Sequence, residues 1–202
     1  MRLRIPSARR AIATLAAAVL VVCVAGCSVL RGNASAAREL LQINVSSPEI
    51  RPGGPLPAEY TCEGGKGSPM LTWSSQPLKD AKTFAVVVDD NSAPDQAVHW
   101  IIYNIDHRTT VLAAGIPAEG ATSPDGTKAP EEATQAQLLD GTRGYSAPCR
   151  KPAGEGPGNY RFSVYALSGK VATEEGDTIS KILHKIAELT IARGRLTAVD
   201  IE

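Results

Sequence analysis

Three short runs of β-branched and aromatic residues constrain this chain more than any other feature of its sequence. Lys82 to Asp89 (KTFAVVVD), Val98 to Ile105 (VHWIIYNI) and Tyr160 to Leu167 (YRFSVYAL) are each bounded by turn residues. Runs of this length and continuity are the mark of strands buried on both faces. All aromatic residues lie between Tyr60 and Tyr165, so the core is expected there. The 18 glycines and 14 prolines suit a turn-rich β fold. Leu40 to Ser47 alternates well enough for a first strand, and residues 106 to 159, rich in Gly, Pro, Thr and Asp, predict long loops over a β core. Helical periodicity appears once: Ile179, Ile182, Leu183, Ile186 and Leu189 share one helix face, with Asp177 placed to cap its start, Gly194 to close it and a last strand from Arg195 to Ile201. The expected fold is a mainly β sandwich with long loops and one C-terminal helix, formed by residues 40–202.

The first 26 residues predict an address rather than a domain. Arg2, Arg4, Arg9 and Arg10 precede an uncharged run from Ala11 to Ala25, a basic segment followed by an apolar one, as in secretory signals. That run falls short of the ~20 residues that span a hydrocarbon core. It ends in Val24-Ala25-Gly26-Cys27, which resembles the bacterial lipobox, where the Cys thiol receives a diacylglyceryl group. Val24 departs mildly from the commoner Leu. The implied organisation is a signal peptide over 1–26, a lipidated Cys27 with a flexible tether to residue 39, and the domain beyond. Two or three acyl chains anchor stably where one does not. The protein is therefore expected outside the cytoplasm, held by lipid to the outer face of the cytoplasmic membrane or another envelope layer. Arg9-Arg10 leaves both the general and the twin-arginine export routes open.

Charge and cysteine usage agree with export. The chain carries 21 basic and 21 acidic residues, which gives no electrostatic case for a nucleic-acid partner. With Cys23 in the signal peptide and Cys27 acylated, Cys62 and Cys149 remain as an even pair in an oxidising compartment. A disulfide between them is expected; the alternative is two buried thiols acting as small apolar groups.

Few residues carry recognisable chemistry. His99, His107 and His184 share no metal-ligand spacing, no Gly-x-Ser-x-Gly elbow occurs, and Gly64 to Ser68 and Gly154 to Gly158 read as turns rather than phosphate loops. No metal is expected. The Asp89-Asp90 and Glu131-Glu132 pairs are weak evidence for acid/base work, because neighbours along a strand face opposite ways. One constellation is sharper. Asp90 ends one predicted strand and His99 begins the next, so a hairpin brings both to one rim, where the carboxylate would raise the imidazole pKa and orient it toward an anion. The alternative is a purely structural Asp-His hydrogen bond.

The order of further segments then becomes informative: Ser47-Pro48, Tyr60-Thr61-Cys62-Glu63-Gly64, Ser68-Pro69-x-Leu71-x-Trp73, Asp90-x-x-Ala93-Pro94, Val98-His99-Trp100, Tyr103-Asn104-Ile105, Gly144-Tyr145-x-x-Pro148-Cys149 and Tyr160-x-Phe162-x-Val164-Tyr165-Ala166-Leu167. This pattern, from about Leu40 to about Val199, resembles the phosphatidylethanolamine-binding protein family, and its bacterial Raf-kinase-inhibitor-like branch in particular. The resemblance implies a β-sandwich with a small pocket for anions such as phosphate or a phosphorylated head group, and no cofactor. It places Asp90, His99, Ala147, Pro148 and Tyr160 at that pocket. Three departures stand out: Asn91-Ser92 for Pro-Asp, Arg150-Lys151 for two prolines, and Gly158-Asn159 for His-Arg. The pocket thereby lacks one imidazole. Arg150 and Lys151 read as solvated loop residues, with restored positive charge at the rim as the other possibility.

The expected function is non-catalytic capture of a small anionic or phospholipid head-group-like ligand by a membrane-anchored lipoprotein. The alternative is a protein-interaction module that inhibits or regulates an envelope partner such as a protease. An enzyme using His99 as base is not expected, since no motif places a nucleophile beside it.

Overall fold

The computed structural model describes residues 40–74, 79–92, 97–152 and 154–201. Cys27, the signal and tether segments, and Ala93-Pro94 lie outside the described residues. The strands are β1 (Leu41–Gln42), β2 (Val45–Ser46), β3 (Leu71–Trp73), β4 (Thr83–Asp90), β5 (Ala97–Asp106), β6 (Val111–Leu112), β7 (Thr134–Gln135), β8 (Asn159–Leu167) and β9 (Thr190–Val199), with one α-helix among the described residues, α1 (Ile179–Leu189), and a short 3-10 turn at Ala58–Tyr60. Six strands form one sheet in the order β1-β9-β8-β4-β5-β7, and β2-β3-β6 form a second.

The three apolar runs become β4, β5 and β8, adjacent at the centre of the larger sheet. Every residue of β4 is buried because both of its faces are covered. Phe84, Val86 and Val88 point between the sheets, toward Leu71 and Trp73 of β3 and Leu112 of β6. Ala85 and Val87 point the other way, onto Ile182 and Ile186 of α1. The alternation of the strand thus feeds two cores, one of a sandwich and one beneath a helix.

Several expectations at the edges need correction. Leu40 to Ser47 is not one strand: β1 pairs parallel to β9 in the larger sheet, while β2 pairs with β3 in the smaller. The cap of α1 is Thr178, whose side chain accepts from the Lys181 N–H; Asp177 instead accepts from the Lys181 and Lys185 ammonium groups, each at 2.6 Å. Gly194 does not close the helix, which ends at Leu189. It lies within β9, where an added Cβ would sit 2.0 Å from the Ile43 carbonyl oxygen, so its role is to let the chain between β1 and β2 pass close by.

Candidate functional site

Register on β4 decides which carboxylate belongs to which face. Asp89 stands opposite Arg161 and Asp90 opposite Tyr160 on β8. Asp89 therefore lies on the helix side, where Arg161 donates through Nε and Nη2 at 2.5 and 2.8 Å. Both side chains of that pair are largely buried. Asp90 lies on the inter-sheet side with Tyr160, whose ring belongs to the sandwich core. The two adjacent acids thus face apart, and neither Glu131 nor Glu132 approaches them: Glu132 pairs with Lys170 on the surface at 2.7 Å.

His99 reaches the Asp90 side through an irregularity. The β4–β5 ladder steps from Val88↔Trp100 to Asp89↔Val98, leaving His99 as the extra residue of a bulge. In an unbroken strand His99 would face away from Trp100. With the bulge, its ring packs edge-to-face on Tyr160 with centroids 6.1 Å apart. Nδ1 lies 3.0 Å from the Ser146 carbonyl oxygen. That oxygen can only accept, so Nδ1 carries the hydrogen. The Ser146 N–H returns a bond to the His99 carbonyl at 2.8 Å, fixing the 146–151 loop against β5. Burial pushes the imidazole below its ordinary pKa; the Ser146 bond and the Asp90, Asp89 and Asp140 charges pull upward and are outweighed. The expectation that Asp90 would leave His99 with a raised pKa is therefore reversed, because desolvation exceeds the carboxylate's attraction.

Asp90 does not hydrogen-bond to His99 among the described contacts; its oxygens are taken elsewhere. Oδ1 accepts from the Ser92 N–H at 2.9 Å, from the Ser92 hydroxyl and from the Asn159 N–H at 3.0 Å. Oδ2 lies 2.9 Å from the Lys151 ammonium, which also donates to the Ser92 hydroxyl. Burial works against the charge of Asp90, yet the bonds from Ser92, Asn159 and Lys151 together hold its carboxyl far below the usual carboxylate range. Lys151 is thus not a solvated loop residue: its side chain is only 18% exposed. The Asp90 charge at the strand end gives the ammonium a partner that solvent would otherwise supply.

The other residues expected at a pocket lie on the same loop and strand. Pro148 is buried and Ala147 half-buried. The Cys62 and Cys149 sulfurs are bonded to each other, with Cα atoms 5.2 Å apart. Both cysteines are exposed, and the Cys62 N–H donates to the Pro148 carbonyl at 3.0 Å. Arg150 reaches the Ile201 carbonyl through Nη1 at 3.0 Å. The Tyr160 phenol is pushed up to about 12 by burial and by the Asp90 and Asp200 charges, with Arg150 opposing. Its hydroxyl lies over Gly158, where an added Cβ would be 2.5 Å from both Cζ and the phenol oxygen. The ring fills the space that a side chain at 158 would need.

Elsewhere, Gly65 and Gly67 adopt positive φ in the turn expected for Gly64 to Ser68, and Lys66 pairs there with Glu59 at 3.1 Å. That turn helps wall a cleft of about 460 Å³ whose other sides include Ile116, Asp125 and Tyr145, not Asp90, His99 or Tyr160. Among the described residues no cluster of His, Cys, Asp or Glu could hold a metal ion, and no helix is long and apolar enough to cross a membrane. Sequence reasoning missed Ser92, Ser146 and Asn159 as site residues. Only Ser92 left a signal: an Asp two residues before a Ser is a ready Asx turn.

Comparison with known proteins agrees with this architecture. The sequence model for the family described as "Phosphatidylethanolamine-binding protein" matches residues 46–200. The candidate lipoprotein LppC of Mycobacterium tuberculosis is 32% identical over 154 residues, covering 76% of this chain and 70% of LppC. The UPF0098 protein YbcL of Escherichia coli is 34% identical over 163 residues, covering 77% and 85%. The crystal structure of YbcL, titled a new member of the mammalian PEBP family, superposes with a TM-score of 0.68 at 33% identity, over 79% of this chain and 98% of that one. A homologue from Chlamydia trachomatis superposes at 0.64 with 28% identity, over 80% and 98%. A family match across most of the chain, on a sandwich of the same shape, makes this protein a member of the phosphatidylethanolamine-binding protein family.

Proposed function

We propose that this chain is a lipid-anchored, extracytoplasmic, non-catalytic binding protein for a small anionic ligand, of the phosphate or phospholipid head-group type. The observation that carries this reading is the meeting of His99, Tyr160 and Lys151 around Asp90 on one rim. A binding role is favoured over catalysis because Asp90 and His99 do not form a dyad: the Ser146 carbonyl orients the imidazole, and Asp90 is engaged with Lys151. The anchor reading rests on Val24 to Cys27 and on the likeness to LppC.

Titration of the full chain with inorganic phosphate and with phosphoethanolamine, following the His99 ring by NMR, tests the binding role. Saturable shifts at His99, absent in His99→Ala, are expected; a ring unmoved up to millimolar ligand overturns it. Affinity should rise as pH falls below the ordinary imidazole value, since Nε2 becomes a charged donor only at lower pH. For the anchor, Cys27→Ala should abolish incorporation of labelled palmitate and release the protein from the membrane fraction; retention there would reject it.

A further inference from the structure

Gly158 offers no side chain to the rim, and the space is closed: the Tyr160 ring rests so close that even a Cβ at 158 would overlap it. Whatever binds an anion here must come from another element. Asp90 is a poor direct contact for such a ligand. It is negatively charged, it is buried, and its two oxygens accept from Ser92, Asn159 and Lys151. Lys151 has the complementary properties. An ammonium carries three N–H bonds, of which the Asp90 carboxylate and the Ser92 hydroxyl take two among the described residues. The third is left, on a side chain that keeps 18% of its surface open. Arg150, the adjacent residue, brings a second cation close enough to Tyr160 to oppose the upward push on its phenol.

We propose that Lys151 is the residue that contacts the anionic ligand, and that Asp90 and Ser92 are positioning residues holding its ammonium at the rim. The ligand class is a tetrahedral oxyanion, whether free phosphate or the phosphate of a lipid head group. The proposal rests on the anion-binding reading above and goes further by naming Lys151 as the principal contact. Pinning by two partners limits the rotamers of a flexible side chain, so less entropy is lost when the ligand arrives. The order of events needs no displacement: the pair stays formed, and the ligand oxygen takes the remaining N–H.

Calorimetric titration of the full chain with inorganic phosphate and with short-chain phosphatidylethanolamine tests this. A charge-assisted hydrogen bond is worth enough that Lys151→Met should weaken phosphate binding by about tenfold or more, with Lys151→Arg retaining affinity within about threefold. Asp90→Asn, which removes negative charge and leaves the ammonium, should cost less than Lys151→Met. If Lys151→Met alone strands the Asp90 charge and impairs folding, the double variant Asp90→Asn with Lys151→Met removes both charges, and it should bind as weakly as Lys151→Met. Parental binding of both ligands that Lys151→Met leaves unchanged or tightens overturns the proposal and leaves the anion-binding reading standing. A parental chain that binds neither ligand overturns both. Parallel losses for the two ligands mean that phosphate alone is recognised; a loss confined to the lipid means that the contact belongs to the head group in its lipid setting.

Discussion

Asp89 and Asp90 are neighbours in sequence, both buried, both paired with a cation, and yet they serve different ends. Asp89 meets Arg161 straight across the β4–β8 ladder, so the pair is set by strand register and held by two parallel hydrogen bonds. Asp90 meets Lys151 across 61 residues of sequence, on a loop whose position depends on the Ser146 clasp with His99 and on the Cys62–Cys149 link. The first pair belongs to the sheet itself. The second depends on a loop being held. An ion pair therefore gives little information by its presence alone; the element that delivers its cation is more telling.

The comparison can be broken at the tether of the loop. Replacing Cys62 and Cys149 together by Ser opens a closed loop spanning 87 residues, which should cost about 4.6 kcal/mol by loop entropy. Chemical denaturation checks this, and phosphate binding should fall at the same time, while Arg161 with Asp89 stays protected. Next in size, Arg161→Ala leaves a buried carboxylate without its cation and should cost about 3 kcal/mol, reduced from a fully buried case because Arg161 retains some exposure. Phosphate affinity should be unchanged; a parallel loss of binding would show that the two faces are coupled. Smaller again, Gly158→Ala forces the Tyr160 ring aside and should cost about 1–3 kcal/mol, the range for overpacking. Here the His99 and Tyr160 ring signals should move together, and the Arg161 guanidinium signal should not.

The smallest effect is on pH dependence, and its sign follows from two lowered pKa values. Asp90 is held below its ordinary range, so its share of stability is full above that range and is lost as pH falls through the folded value. His99 is also lowered, so the unfolded chain takes up a proton more readily, and stability is lost as pH falls below about 6.5 toward the folded value. Both slopes run toward acid instability. His99→Gln should flatten the upper part of the decline in thermal melts and leave the lower part, which belongs to Asp90.

What could be read from the sequence divides along the same line. β4, β5, β8 and α1 were legible because each is long enough for its period to outweigh local noise; the hairpin between β4 and β5 brings Asp90 and His99 to one end, but the bulge that turns His99 to the Asp90 side left no signal. β3, β6 and β7 were not: strands of two or three residues have no period, and they exist because partners already in place offer free hydrogen bonds. The same limit explains the misassignment of Gly194, since a glycine after a helix is an ordinary stop signal and the close passage of Ile43 is a tertiary fact. It also explains Lys151. A basic residue in a Gly-Pro-rich loop reads as solvated, and nothing local shows that a strand-end carboxylate 61 residues earlier lies within reach.

The two-way bond between His99 and Ser146 gives the imidazole a direction. One nitrogen is committed to a main-chain oxygen and cannot release its hydrogen without breaking the loop's attachment to β5. Every proton gained or lost must therefore pass through the other nitrogen. The ring behaves as a port with a single opening, and its charge can change without altering the backbone bond that keeps the loop in place.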